Sequence, residues 1–222
     1  LRAGLPNRAE DALSRLEGTP FEAQAQLALL AIYERSRDWS HAASIAQKMH
    51  AADQGDFSTR QAHYLCEQAL ALSVQGDRAG AKALLEQAIA AAPDAARARI
   101  ELARLQQLMG QPDAVLATLQ TLGERAPAAL PLAAPLLVEA GNATGRQAEV
   151  HARLVAHYEQ SPSLDVLESI VAMEAANDAT QATARARYVQ HLDKERSLVA
   201  AAKWLSTEKL EHEEFHPQIQ RA

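Results

Sequence analysis

The sequence predicts an all-α fold of antiparallel helix pairs, and three observations predict it. Hydrophobic residues make up 48% of the chain while aromatic residues make up only 4%, so alanine and leucine supply most of the apolar content. Val, Ile, Thr and aromatic residues do not alternate with polar ones in the runs that strands require. Alanine, leucine, Glu, Gln and Arg are instead strong helix formers, and alanine lets helix backbones approach closely. The third observation is periodic. In "ALSVQGDRAGAKALLEQAIAAAPD" and "ARLQQLMGQPDAVLATLQTLGERAPA", Gly76 recurs as Gly110, Leu85 as Leu119 and Pro93 as Pro127, all at one spacing.

That spacing, thirty-four positions, is the period of the tetratricopeptide repeat: a helix, a tight turn, a second helix, then proline before the next unit. Ala81-x3-Leu85 and Val115-x3-Leu119 fill the small-then-large positions of the second helix, and Ala69 and Ala103 the small position where paired helices touch. One pair cannot bury its own apolar stripe, whereas stacked pairs bury a continuous seam. The predicted architecture is therefore a tetratricopeptide-repeat right-handed α-solenoid forming one array over 1–222.

Taken in order, residues 1–21 read as a turn and second helix of a truncated repeat, since Ala9 precedes Ala42 by nearly one period. Residues 22–58 form a regular repeat with a turn near Arg37-Asp38, and Trp39 opens its second helix and packs back on the partner helix. The step from Ala42 to Ala81 exceeds one period, which puts a five-residue insertion in "AADQGDFSTR", where Gly and Asp allow a longer loop. Residues 59–94 and 95–128 are regular. Residues 129–162 form an atypical pair whose first helix Pro135 should bend or delay. A second atypical pair, 163–194, has Ser161 or Ser163 as N-cap. Residues 195–222 read as a truncated last pair, with Pro217 starting its second helix.

Composition excludes several function classes. A formal charge of −6, with no basic block, argues against phosphate neutralisation and hence nucleic-acid binding. The single cysteine, Cys66, rules out a disulfide framework or a multi-cysteine metal site within the chain. No apolar run approaches the roughly 20 residues of a membrane helix. Because the chain begins at Leu1 in a turn, it reads as a piece of a longer protein.

Two catalytic patterns compete with this frame. His212-Glu213-Glu214-Phe215-His216 spells H-E-x-x-H, which in zinc proteases sits on a continuous helix. Here Pro217 follows directly and turns His216 away from helical geometry, so the segment reads as the turn of the last repeat. His63 and Cys66 lie three apart on one helix, but nothing in the sequence supplies an orienting acid or an oxyanion donor; Cys66 reads as a small packed residue. Asn142-Ala143-Thr144 carries no weight as a glycosylation site without a secretory signal, and Glu208, Glu211, Glu213 and Glu214 read as a solvated acidic turn. The positions expected to bind partners are those of the first helices, on the concave face: Gln24 and Leu27; His63, Cys66 and Leu70; Arg97, Ile100 and Arg104. Their mixture of apolar and basic groups suits a peptide or helix carrying acidic residues. No catalytic or metal residue is assigned.

The segments "GLPNRAEDALSRL", "WSHAASIAQKM", "AHYLCEQALAL" and "AARARIELARLQQLMGQPDAVLATLQ" resemble the lipopolysaccharide assembly protein B (YciM-like) family of Gram-negative bacteria. The specific matches are Arg8-Ala9-Glu10-Asp11, Trp39 at its helix start, and Tyr64-x-Cys66-Glu67-x-Ala69-Leu70. The likeness is good to about Pro127 and looser to Ala222. It implies an inner-membrane protein with an N-terminal anchor, a tetratricopeptide array on the cytoplasmic face, and a C-terminal rubredoxin-like metal module. It also implies a non-enzymatic adaptor, possible as a homodimer, with protein partners: the FtsH protease, the lipid A pathway deacetylase that FtsH degrades, and lipopolysaccharide assembly factors. The anchor and the four cysteines of the module are absent here, so the chain itself is expected to carry no cofactor. Two alternatives stand beside this reading. A generic tetratricopeptide co-chaperone or assembly adaptor would clamp acidic tails with asparagine and lysine, yet Asn7, Asn142 and Asn177 fall in turns or near helix ends. A zinc hydrolase would have to use HEEFH.

Overall fold

The computed structural model describes residues 5–175, 178–195 and 199–202, all helical or in the turns between helices. The chain divides into two compact units, Leu1–Pro127 and Ala128–Ala222. The pattern HEEFH, the acidic cluster Glu208–Glu214, Pro217 and Asn177 lie outside the described residues.

In the first unit, α1 (Leu5–Ser14), α2 (Glu22–Ser36), α3 (Trp39–Ala51), α4 (Ser58–Val74), α5 (Arg78–Ala91), α6 (Ala96–Leu108) and α7 (Pro112–Arg125) each pack on the next in sequence. In addition α4 packs directly on α6, one first helix against another. Small residues make this possible. Ala42, Ala81 and Val115, at one register position, are fully buried, as are Ala69 and Ala103 where paired helices meet. Leu85 and Leu119 fill the core one turn further on.

The turns between paired helices follow one design. Gly76 (φ 89°) and Gly110 (φ 68°) adopt left-handed geometry, which glycine reaches without steric cost. Arg37 holds the equivalent place in the earlier repeat with φ 57°, where a Cβ is disfavoured. The next residue then caps the second helix. Asp38 accepts from the His41 N–H (3.2 Å) and Asp77 from the Gly80 N–H (2.8 Å), each satisfying an otherwise orphaned donor. In α7 a proline in the first turn takes over. The loop before α4 turns through Asp53 (φ 54°) and Gly55 (φ 131°) and seats Phe57 in the core.

Trp39 opens α3, but its ring stacks on Tyr64 of α4 (centroids 6.1 Å apart, planes at 13°). The indole thus joins one pair to the first helix of the next, beyond the contact expected with its own partner helix.

The second unit contains α8 (Ala134–Thr144), α9 (Gln147–Gln160), α10 (Leu164–Ala175) and α11 (Asp178–Glu195), with α10 packed on α8 as well as on its sequence neighbours. A 3-10 segment, Pro127–Ala133, precedes it and contains Pro131, while Pro135 sits in the first turn of α8. The prolines delay the α-helix to Ala134, because neither can donate a backbone bond. A Cβ at Gly141 would lie 2.8 Å from Val150 Cγ2, so glycine there lets α8 and α9 close up. Ser163 caps α10 through the Val166 N–H (3.4 Å).

The shared turn geometry sets up a paired test. The Arg37 side chain has no bond to lose, so Arg37→Gly should stabilise the protein by a few tenths to about 1 kcal/mol, and Gly76→Ala should destabilise it by about 1 kcal/mol. Urea unfolding of both variants reads the signs; a loss of stability in Arg37→Gly would contradict the strain assigned to that turn.

Candidate partner-binding face

The first helices α2, α4 and α6 carry the residues singled out for binding. On α4 the outward stripe runs His63, Glu67, Leu70 and Val74, and on α6 it runs Arg97, Glu101, Arg104 and Leu108, at i, i+4, i+7 and i+11. Gln24, Leu27, His63, Arg97 and Arg104 are exposed and Leu70 is half-buried. Two expected members are not on the surface. Cys66 is 1% exposed and Ile100 is 5% exposed. Each sits about 60° round its helix from the stripe, on the inner flank. Cys66 feels the charges of Arg97 and Glu101 on α6, the helix that packs directly against α4. Leu27, at the same register, remains open at 47% exposure.

The exposed charges are joined across helices. Glu34 on α2 accepts from Arg60 on α4 (2.8 Å) and from the Tyr64 hydroxyl. Arg97 on α6 reaches back to α4, donating to Glu67 (2.6 Å) and to His63 Nδ1 (2.7 Å). A guanidinium can only donate, so His63 Nδ1 is the acceptor and its proton sits on Nε2. Arg104 pairs with Glu101 on its own helix (2.8 Å). Trp39 stacks on Tyr64 and meets His63 edge-on at 6.0 Å. A carboxylate arriving at this face must therefore share Arg97 and Arg104 with resident acids, using the guanidinium donors they leave over.

Burial shifts several groups. The Tyr64 phenol is pushed up to about 12, first by burial and then by its bond to Glu34. Burial also works to raise the Glu34 carboxyl, but hydrogen bonds from Tyr64 and Arg60, with the Arg60 charge, hold it below the usual glutamate range. Burial pushes the Cys66 thiol up to about 11, against a smaller opposing effect of Arg97. At neutral pH it is a thiol in the core, with His63 committed to Arg97. Among the described residues, no group of three or more His, Cys, Asp or Glu side chains could hold a metal ion, and no helix is long and apolar enough to cross a membrane.

Sequence reading missed Val74 and Leu108. They are 89% and 63% exposed and stand one repeat apart, so they recur as an apolar rung beyond Leu70 and Arg104. The signal was available: each is a large apolar residue two positions before its turn glycine, in phase with the outward stripe. The bonds linking Glu34, Arg60, Tyr64 and Glu67 could not be found that way, since they depend on how far α2 and α6 stand from α4.

The sequence model of a family described as tetratricopeptide repeat matches residues 75–140. Solved structures similar to the chain include one described as the crystal structure of MamA protein, 19% identical, covering 79% of this chain and 88% of that one with a TM-score of 0.43. Another, MamA MSR-1 C2, is 18% identical over 80% of this chain and 99% of that one, with a TM-score of 0.46. A third is TTC0263, a thermophilic TPR protein in Thermus thermophilus, 18% identical over 77% of this chain and 91% of that one, with a TM-score of 0.38. No curated protein matches the chain.

Two outcomes follow from the geometry. Tyr64→Phe should cost about 1–2 kcal/mol at neutral pH, because it removes a hydrogen bond to a charged acceptor. A carboxyl held below its unfolded value stabilises the fold above that value and loses the contribution as pH falls through the folded one. The difference between wild type and Tyr64→Phe should therefore shrink below the ordinary glutamate value of 4.5; a difference that grows with acidification refutes the Glu34 assignment. Separately, Cys66 should resist iodoacetamide in the native protein and react fully in denaturant, as mass spectrometry would show; fast native alkylation would place the thiol at the surface.

Proposed function

We propose that the chain is a non-enzymatic protein-interaction scaffold that holds a partner along the exposed stripe of its first helices. The observation behind this reading is the continuity of that stripe: Gln24 and Leu27 on α2, His63, Leu70 and Val74 on α4, and Arg97, Arg104 and Leu108 on α6, all solvent-facing or half-buried. Cys66 and Ile100 belong to its support. Arginine beside open apolar side chains suits a peptide or helix that carries both acidic and apolar residues. Tetratricopeptide repeats mediate protein–protein interaction, and the repeat match covers α6, where both arginines lie.

In its finer form the proposal follows the sequence resemblance. The chain would be the tetratricopeptide part of a regulator of lipopolysaccharide synthesis, held at the cytoplasmic face of the inner membrane by an anchor outside these residues. Its partners would be the FtsH protease, the lipid A pathway deacetylase and lipopolysaccharide assembly factors, with homodimerisation possible. The metal-binding rubredoxin-like module of that family would also lie outside the chain.

The test uses the full-length protein. Arg97→Glu with Arg104→Glu should reduce co-precipitation of the deacetylase, with accumulation of the deacetylase in cells, while circular dichroism shows the helices intact. Normal capture and turnover in the folded double variant would remove the stripe as the binding face. Loss of capture of some other protein, with the deacetylase unaffected, would keep the scaffold and reject the lipopolysaccharide role.

A further inference from the structure

A groove of about 610 Å³ lies between α3 and α5, with α4 as its floor. Leu65 and Ala43, both buried, form its base. Gln61, Leu65 and Gln68 stand at i, i+4 and i+7 on α4, on the side of that helix opposite His63 and Glu67. Gln47 enters from α3 and Gln87 from α5. Four glutamines from three helices thus meet around a small apolar base. Among the described residues that line the groove none is Asp, Glu, Lys or Arg, although such residues make up 23% of the chain. His50, toward the end of α3, is the one lining side chain that titrates near neutrality.

The repeat frame does not impose this neutrality. The corresponding groove, between α1 and α3 over α2, carries Glu22 at the register of Gln61, Lys48 at that of Gln87 and Glu17 at that of His50. Lys48 and Glu17 pair there at 3.7 Å. One repeat on, those charges are gone. The side-chain amides of Gln47, Gln61 and Gln87 have no hydrogen-bond partner among the described residues. Gln68 donates to the Trp39 carbonyl (3.1 Å), which leaves its own oxygen to accept.

We infer that this groove binds an extended, uncharged polypeptide segment by its main chain. A side-chain amide donates and accepts at once, and an extended backbone offers both N–H and C=O groups along its edges. A helix would have committed those groups to itself. A charged residue in the segment would lose water and meet no counter-charge, and the groove has no Phe, Tyr or Trp on which a nucleobase could stack. From Ser40 to Ala51, the stretch of α3 that lines it, the groove runs roughly 16 Å at 1.5 Å per helical residue. That is the span of about five residues of extended chain. The partner-binding stripe occupies the opposite side of α4, so either site can fail without the other.

An NMR titration of the isotope-labelled whole chain tests the assignment. The probe is an acetyl- and amide-capped peptide of that length, alternating alanine and serine. The side-chain amide signals of Gln61 and Gln87, identified by their loss in Gln61→Met and Gln87→Met, should shift saturably with a Kd on the order of 1 mM. The Nε–H signals of Arg97 and Arg104 should stay in place. Gln47→Met with Gln87→Met alters two exposed residues and should weaken binding about tenfold, as the loss of two hydrogen bonds implies. Methylating the backbone nitrogens of the peptide should weaken it at least as much, and replacing a serine by aspartate or lysine should do so several-fold. The inference fails if no saturable shift reaches these glutamines with the peptide in large excess over that Kd. It fails equally if the methylated or charged peptide binds as well, or if the folded double variant binds as tightly as wild type. Matching shifts with maltose at the same concentration would make the groove a general binder of hydroxyl groups and would also overturn it.

Discussion

The contact on which the first unit depends is the close approach of helices across alanine. Ala42 and Ala81 sit fully buried where second helices meet first ones, and Ala69 and Ala103 do the same from the other side. An alanine contact yields little apolar area, so its value is geometric: it brings backbones near enough for Leu30, Met49 and Leu85 to join one core around it. The same closeness lets α4 lie directly on α6. That single packing step decides which side chains reach solvent, since it hides Cys66 while leaving His63 and Glu67 at the rim.

The ion ladder is a consequence of that spacing. Arg97 spans from α6 to two acceptors on α4, and Arg60 and Tyr64 span from α4 to one carboxylate on α2. Exposed pairs of this kind contribute little each to stability. Their effect is to fix long side chains in one arrangement, so the face is preorganised and largely neutralised before any partner arrives. Tyr64 is the exception in energy, because its ring is buried under Trp39 and its hydroxyl has Glu34 as acceptor.

Much of this was legible in the sequence, for a physical reason. The regular recurrence of Gly76 as Gly110 reports a left-handed turn that few residues other than glycine tolerate, so the helix boundaries around it could be placed closely. Arg37 was readable only by register, since nothing in its chemistry signals φ > 0. Burial was less legible than phase. Leu27, Cys66 and Ile100 share one register, yet only Leu27 is open, and that difference depends on which neighbouring helix lies alongside. Val74 and Leu108 were not assigned to the face, although both are in phase with its stripe and face water. The prolines at 131 and 135 warned of a delayed helix, and α8 indeed starts at Ala134.

The two units treat buried charge differently. In the second, Glu174 is 5% exposed and accepts from His151 Nε2 at 2.9 Å and from Arg187 at 3.3 Å. Nearby, the Tyr158 hydroxyl and His191 Nδ1 are hydrogen-bonded at 2.7 Å, on a histidine whose burial holds it below the usual imidazole range. Removing Glu174 would take the shared acceptor from both His151 and Arg187, so this network favours one packing of α9, α10 and α11 over near alternatives. It stands where the regular alanine pattern has lapsed, and the polar contacts supply the specificity that small-residue packing supplies earlier in the chain.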